Sequence, residues 1–242
     1  MEEHMTKKER KEQKKLERMD QMEGSQKSFK TKGIIIGVVA LIFLGFFIYA
    51  INAAKSKPSE PVELSASGWV KGNPEATVTF TEFADFQCPY CKQFSPIVSQ
   101  LEKEYGDRIK IVFKHFPLKQ AHPNAFPAAV AAEAAGRQNK FWEYHDLLFE
   151  KQEEWSATPN PQSKFVEYAK GLKLDAAQFE KDLDDDKLKT AVNAQVDEGI
   201  KVGVSGTPTL FINGAPIDIP GNYEVLKLQI ESVLPDASPS AK

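Results

Sequence analysis

The chain of 242 residues has few side chains that can form disulfides or bind a metal ion. It contains two cysteines, Cys88 and Cys91, and four histidines. Without a third cysteine the fold cannot depend on several disulfides, so an ordinary hydrophobic core must hold it together. Two cysteines are also only half of a tetrahedral zinc site, and the histidines lack the paired spacing that would complete it. We therefore predict no metal site.

Charge is absent from one long segment. Residues 33–54 contain no charged side chain, and residues 34–51 are apolar throughout apart from one tyrosine hydroxyl. That length is at the lower end of what crosses a bilayer as a helix. A cleaved signal peptide is the alternative, although its apolar part is normally shorter and its leader is rarely 32 residues long. We predict an uncleaved single-pass transmembrane anchor at 33–54.

Lysines are more frequent before this segment than after it, so the positive-inside rule places the N-terminus in the cytoplasm and the cysteines outside the cell membrane. Residues 1–32 carry 10 basic and 7 acidic side chains and predict a charged cytoplasmic tail without a core. Residues 55–70, which contain prolines and serines, predict a linker. The chain beyond residue 54 carries 21 basic and 27 acidic side chains, which argues against a nucleic-acid partner.

The two cysteines form a C-x-x-C motif between a predicted strand, residues 76–86, and a helical pattern, residues 92–104. Cys88 falls near the N-cap of that helix, and Pro89 suits the first helical position because its missing N–H is not needed there. The free backbone N–H groups and the helix dipole favour a thiolate on Cys88. Cys91, one turn later, is placed to close a disulfide and to resolve a mixed disulfide.

A purely structural disulfide is the alternative interpretation of this motif. A bridge between residues three positions apart closes a very short loop and removes little entropy from the unfolded chain. Outside the membrane a disulfide can persist, whereas a cytosolic pair would be kept reduced. We therefore favour a redox function.

The remaining pattern predicts an α/β domain. A second strand covers residues 109–116, and strand, helix and strand at this spacing predict a parallel unit with the motif at the carboxyl end of its first strand. From residue 124 to about 201 the pattern is helical. A strand near residues 204–212 follows, and Asn213-Gly214 predicts a hairpin.

Two further residues can be judged from the sequence alone. Glu82 shares a strand face with large apolar residues, where a carboxylate is unfavourable unless it is paired or protonated. Pro208 precedes a strand, and a cis bond is not predicted for it, because only about one X-Pro bond in twenty is cis in folded proteins.

The combined pattern resembles the DsbA-like branch of the thioredoxin superfamily over about residues 72–234. The resemblance implies a thioredoxin fold formed by residues 71–120 and 203–236, with a helical insertion at 121–202 and one transmembrane helix before it. The motifs that carry the resemblance are Cys88-Pro89-Tyr90-Cys91, His115-Phe116-Pro117-Leu118, His122-Pro123-Asn124-Ala125, Lys140-Phe141-Trp142 and the segment 206–214, Gly-Thr-Pro-Thr-Leu-Phe-Ile-Asn-Gly.

The resemblance also implies roles for individual residues. Cys88 would be the exposed nucleophile and Cys91 its buried partner. Pro208 would be cis and packed against the disulfide, and Thr207 would present backbone groups to an extended substrate, as strand addition allows.

Four residues would support the two sulfurs. Glu82 matches the buried acid of the family, with Lys114 as its charge partner. Pro89 and Tyr90 form the dipeptide between the cysteines, and Pro89-Tyr90 differs from the Pro-His of DsbA itself.

The expected function is that of a membrane-anchored thiol:disulfide oxidase without a cofactor. Its partners would be cysteine-containing exported proteins, and the resemblance implies a quinone-linked membrane enzyme that reoxidises it. A reductase or isomerase kept reduced through the membrane is the alternative within redox chemistry. A tethered chaperone without redox turnover is the alternative from another class.

Overall fold

The computed structural model describes residues 60–235. Its centre is a five-stranded mixed sheet in the order β1-β3-β2-β4-β5. The strands are β1 (Trp69–Gly72), β2 (Val78–Ala84), β3 (Ile109–His115), β4 (Thr209–Ile212) and β5 (Ala215–Ile217). The helices are α1 (Pro89–Tyr105), α2 (Ala125–Arg137), α3 (Phe141–Glu150), α4 (Gln152–Trp155), α5 (Gln162–Gly171), α6 (Ala176–Asp182), α7 (Asp186–Lys201) and α8 (Tyr223–Glu231).

The central strands β2 and β3 are parallel and are joined by α1, so the predicted strand–helix–strand unit is confirmed. Strands β1 and β4 pair antiparallel with β3 and β2, respectively. The β4–β5 hairpin turns at Asn213 and Gly214, whose φ angles are 49° and 77°. Positive φ at both positions is what a two-residue hairpin turn needs, and these residue types tolerate it. The C-x-x-C motif therefore begins just beyond the carboxyl end of β2.

One face of the sheet is covered by α1 and α8. Phe80 of β2 and Ile111 of β3 are buried there against Leu101 of α1 and Leu226 of α8. Complete burial of an aliphatic or phenylalanine side chain contributes about 1.5–3 kcal/mol relative to exposure. This layer fixes the axis of α1 on the sheet, and with it the position of the helix N-terminus.

Helices α2 to α7 lie between β3 and β4 in the chain and form the helical insertion of a thioredoxin fold. Their core surrounds the alanine-rich α2 and includes the fully buried Trp155 and Tyr144. The small residues of α2 allow close approach of its neighbours. At Gly136, a Cβ atom would lie 2.2 Å from the Trp69 ring, so only glycine fits there. The same core includes both cysteines, which places the insertion directly behind the motif.

The described part of the predicted linker, residues 60–70, packs against the domain. Trp69 and the next three residues form the edge strand β1, and the Val62 N–H donates to the Gly214 carbonyl oxygen over 2.8 Å. Ser65 lies against the buried side chain of Lys114. The physical reason is that a buried lysine needs acceptors, which this segment supplies.

The predicted tail at 1–32, the predicted anchor at 33–54 and the first part of the predicted linker lie outside the described residues. Within residues 60–235, the helices are all too short or too polar to cross a bilayer.

Candidate active site

Cys88 is the N-cap of α1, as predicted. Its backbone is extended there, with φ −70° and ψ 123°, and Pro89 occupies the first helical turn. The Cys88 N–H donates to the Asp85 carbonyl oxygen over 3.1 Å, which closes the turn between β2 and α1. Pro89 cannot offer an N–H of its own, so the free amides nearest the sulfur belong to the two residues that follow it. The sulfur is thus set at the positive end of the helix.

The pKa of the Cys88 thiol is lowered to about 5. The largest cause is a hydrogen bond from the Cys91 thiol, while burial acts in the opposite direction. Hydrogen bonds from the Cys91 backbone N–H and the Tyr90 backbone N–H lower it further. At neutral pH, Cys88 of the dithiol form is therefore a thiolate, which is the nucleophilic state of cysteine.

Cys91 differs from Cys88 although it lies only one turn away. Burial, followed by the hydrogen bond to Cys88 and the nearby negative charges of Glu82 and Cys88, raises the pKa of its thiol. Cys88 is 4% exposed and Cys91 is 0% exposed. The resemblance implied an exposed Cys88. By its solvent-accessible area Cys88 is buried, because residues of the insertion cover the turn. Cys91 is the buried partner.

Glu82 is buried beneath this pair. Its pKa is raised to about 8, mainly by burial, with the charge of Cys88 adding to the rise and the charge of Lys71 opposing it. A carboxyl group with a pKa near neutrality can both donate and accept a proton under working conditions. Of the two alternatives that the sequence left open for Glu82, a paired or a protonated carboxyl, the raised pKa favours the protonated one.

The expected pairing of Glu82 with Lys114 is wrong. In the β2–β3 register Glu82 lies opposite Phe113 and Lys114 lies opposite Phe83. Because neighbouring residues along a strand point to opposite faces, the two charged side chains lie on opposite faces of the sheet. Lys114 instead donates to Glu198 Oε2 over 2.8 Å.

Ser65 and Ser67 complete the surroundings of Lys114. Its ammonium group donates to the Ser65 carbonyl oxygen, the Ser65 hydroxyl and the Ser67 hydroxyl over 3.0, 3.2 and 3.1 Å. Lys114 is therefore a structural residue that holds the segment before β1 against the sheet.

Lys71 provides the positive charge that the sequence analysis assigned to Lys114. It lies in β1 opposite Ile111, which puts it on the same face as Glu82. Its ammonium group forms a 2.6 Å ion pair with Glu102 and lies 4.4 Å from the centroid of the Trp142 ring. Only the pairing of β1 with β3 could have identified it, and that edge strand was not predicted.

Thr207 and Pro208 face the motif from the loop before β4. The peptide bond between them is cis, which confirms what the resemblance implied and corrects the expectation from base rates. Cys88 Sγ lies 3.4 Å from the Thr207 carbonyl oxygen. The Thr207 hydroxyl is buried and has no hydrogen-bond partner among the described residues in this dithiol state. A hydroxyl at this position can donate to the Cys88 thiolate.

Two other residues complete the surface of the turn. Tyr90 is 68% exposed, so the dipeptide between the cysteines presents a large aromatic ring to solvent. Asp85 is 1% exposed and was missed by the sequence analysis. Its carboxylate accepts from the Gln87 N–H over 2.7 Å, the Leu118 N–H over 2.8 Å and His122 Nδ1 over 2.8 Å. An aspartate that bonds the N–H two residues later is a known turn signal, and it could have identified this position.

The arrangement is that of a thiol:disulfide exchange site: a stabilised thiolate, a buried thiol within disulfide reach, and a buried acid. A family model described as Thioredoxin matches residues 65–232, which is more than half of the chain.

Solved structures agree with this match. BdbD from Bacillus subtilis, in its oxidised form, superposes with a TM-score of 0.62 at 28% identity, covering 68% of this chain and 91% of that one. DsbA2 from Pseudomonas aeruginosa superposes with a TM-score of 0.55 at 25% identity, covering 73% of this chain and all of that one.

A curated relative from Salinispora tropica, named Na(+)/H(+) antiporter NhaA 3, is 40% identical over 168 residues, which is 69% of this chain. The chain spans about a quarter to three tenths of the length of the curated relatives it matches. The likeness therefore concerns a minor part of those proteins. On the family match, the fold and the motif geometry, the chain belongs to the thioredoxin family and is DsbA-like.

Proposed function

We propose that this chain is a thiol:disulfide oxidoreductase that acts as an oxidase, donating the Cys88–Cys91 disulfide to folding exported proteins. The observation that carries the proposal is the opposite shift of the two thiol pKa values within one helical turn. Stabilising the Cys88 thiolate favours the dithiol form. A protein whose dithiol form is favoured is a strong disulfide donor.

The exchange proceeds in two displacements. A substrate thiolate attacks Cys88 Sγ, the bond between Cys88 and Cys91 breaks, and Cys91 leaves with the bonding electrons. Because Cys91 holds a proton tightly, it leaves as a thiol, and the raised pKa of Glu82 makes that carboxyl group a suitable proton donor. The product of this step is a mixed disulfide between Cys88 and the substrate.

A second thiolate of the substrate then attacks the substrate sulfur of the mixed disulfide, and Cys88 leaves as a thiolate. Two substrate thiols have become one disulfide, and two electrons now reside on Cys88 and Cys91. The low pKa of Cys88 makes it a good leaving group in this step. The Thr207 carbonyl oxygen lies 3.4 Å from Cys88 Sγ, and an extended substrate segment would dock beside it by main-chain hydrogen bonds.

The location of the reaction is part of the same proposal. The uncharged segment 33–54 would tether the domain to the outer side of the cell membrane, with the N-terminus in the cytoplasm. A membrane enzyme linked to quinones would return the dithiol to the disulfide. The support for these statements is the charge pattern of the sequence and the resemblance to DsbA-like proteins.

The direction of electron flow can be tested by equilibrating the protein with glutathione and measuring its reduction potential. The oxidase proposal predicts a potential well above the roughly −270 mV of thioredoxin. A value near or below that figure would instead support a reductase.

The substrates can be identified by covalent trapping. A Cys91→Ala variant lacks the resolving sulfur and should accumulate mixed disulfides through Cys88, while Cys88→Ala should trap none. If both variants trap the same proteins to the same extent, the assignment of Cys88 as nucleophile is wrong.

A further inference from the structure

The shortest helix of the insertion, α4, contacts the C-x-x-C turn through its first residue. Gln152 is 5% exposed. Its side-chain Nε2 donates to the Phe86 carbonyl oxygen over 2.8 Å and to the Cys88 carbonyl oxygen over 3.0 Å. A primary amide has two N–H donors, so Gln152 uses both of them on the backbone of this turn.

These two carbonyl groups flank the residue that immediately precedes Cys88. The Cys88 carbonyl oxygen also accepts from the Lys92 N–H over 3.1 Å, as the first intrahelical bond of α1. Gln152 and Lys92 together supply two donors to this carbonyl group, one from the insertion and one from the helix. The backbone of Phe86 to Cys88 is therefore held from outside the thioredoxin part of the fold.

Gln87 lies between the two carbonyl groups, and its side chain forms hydrogen bonds with backbone groups of the insertion. Its Nε2 donates to the Ser156 carbonyl oxygen over 2.9 Å, and its Oε1 accepts from the Asn124 N–H over 2.8 Å. Asn124 also donates to the Thr158 carbonyl oxygen over 2.8 Å, which ties together the segments that hold Gln87. The insertion thus holds both the backbone and the side chain of this turn.

We propose that Gln152 is a positioning residue for the thiol exchange, which holds the Cys88 backbone so that the amide and thiol donors of the next turn point at the Cys88 sulfur. Gln152 acts through the backbone and does not touch the reacting sulfur. The N-cap conformation of Cys88, with φ −70° and ψ 123°, directs the sulfur toward the start of α1. A turn released from Gln152 would sample other angles and lose these hydrogen bonds for part of the time. Only the expected effect on the rate of thiol exchange rests on the proposed function.

A Gln152→Leu substitution keeps the approximate volume of the side chain and removes both hydrogen bonds. We expect the pKa of Cys88, measured by thiolate absorbance in the dithiol protein, to rise by about 1 from its parental value of about 5. The equilibrium with glutathione should then move about tenfold toward the disulfide form, which corresponds to about 30 mV for this two-electron couple. The rate of attack on a model disulfide at pH 5 should fall with the thiolate fraction.

The matched control is Gln195→Leu. Gln195 is also a buried glutamine of the insertion, 4% exposed, and its Oε1 accepts from the His115 N–H over 2.7 Å. Both substitutions remove buried hydrogen bonds, so both should lower the free energy of unfolding. Only Gln152→Leu should move the Cys88 titration and the glutathione equilibrium. Identical Cys88 titrations in Gln152→Leu, Gln195→Leu and the parent would overturn the proposal.

If Gln152→Leu does not fold, the parent protein still provides a test. The Gln152 side-chain amide protons should exchange slowly with solvent in an NMR measurement, and their resonances should shift when the disulfide is reduced. Rapid exchange together with resonances that ignore the redox state would refute the positioning role. A low reduction potential in the parent would refute the oxidase function and leave this comparison unaffected.

Discussion

Substituting Glu82 by glutamine should stabilise the dithiol protein at neutral pH. The pKa of Glu82 rises from an ordinary 4.5 to about 8 in the folded chain. At pH 7 the unfolded carboxyl group is ionised and the folded one is mostly protonated, so folding must bind a proton. The free-energy cost of binding this proton at pH 7 follows from the pH interval between 4.5 and 7, and at about 1.36 kcal/mol per pH unit it is about 3.4 kcal/mol. Glutamine is close in shape to the protonated acid and avoids this loss.

The sign follows from a pKa that is raised on folding. Stability due to Glu82 is fully present below about 4.5, is lost as the pH rises toward 8, and stays constant above that value. The free energy of unfolding of the Glu82→Gln variant should therefore exceed that of the parent by about 3 kcal/mol at pH 7, and the two should be nearly equal at pH 4.

Urea unfolding of both proteins under full reduction, at several pH values between 4 and 9, measures this difference directly. Titrating groups that do not interact with Glu82 cancel because they are common to both chains. Parallel stability curves for the two proteins would refute the burial argument. The same variant should change the pH profile of turnover, and an unchanged profile would show that Glu82 does not handle the Cys91 proton.

Two further substitutions test other parts of the site. Thr207→Val should raise the pKa of Cys88 by about 1, because a hydrogen bond to a charged group is worth about 1.5 kcal/mol or more. The control is Thr209→Val, which loses a hydrogen bond to the Gly206 carbonyl oxygen and should leave the thiolate titration unchanged. Equal titrations in these two variants would remove Thr207 from the site. Glu198→Gln should lower the free energy of unfolding by about 2 kcal/mol, below the 3–5 kcal/mol typical of fully buried pairs because Glu198 is 14% exposed. It should not change the Cys88 titration, and a change there would mean that Lys114 does act on the active site.

The features that the sequence predicted correctly are local. The helix that starts at Pro89 depends on an N-cap, a favourable first residue and an apolar stripe, all within one stretch of chain. The parallel pairing of β2 with β3 follows from the length of α1 between them. The cis bond before Pro208 came from family resemblance, since its neighbours carry no local signal that distinguishes it.

The features that were missed depend on partners far away in the chain. Strand β1 has four residues, and it exists because it pairs with the edge of β3. Without β1, Lys71 had no assigned face, and the resemblance implied Lys114, on the predicted strand beside β2, as the charge partner of Glu82. Gln152 reaches Cys88 across 64 positions, and a single glutamine on a helix gives no sign of its acceptor.

The opposite behaviour of the two sulfurs follows from where the helix begins relative to the sheet. Cys88 lies where β2 has ended and α1 has not yet formed its hydrogen bonds, so free amides meet its sulfur. Cys91 is one turn inside, where the same helix has turned its side chain toward the buried face that carries Glu82. Both thiols are buried, and a spacing of three positions is enough to give one the free amides of the helix end and the other the neighbourhood of Glu82. Placing the acid on β2, six positions before the nucleophile, sets it below both sulfurs, because the parallel register fixes the face on which it lies.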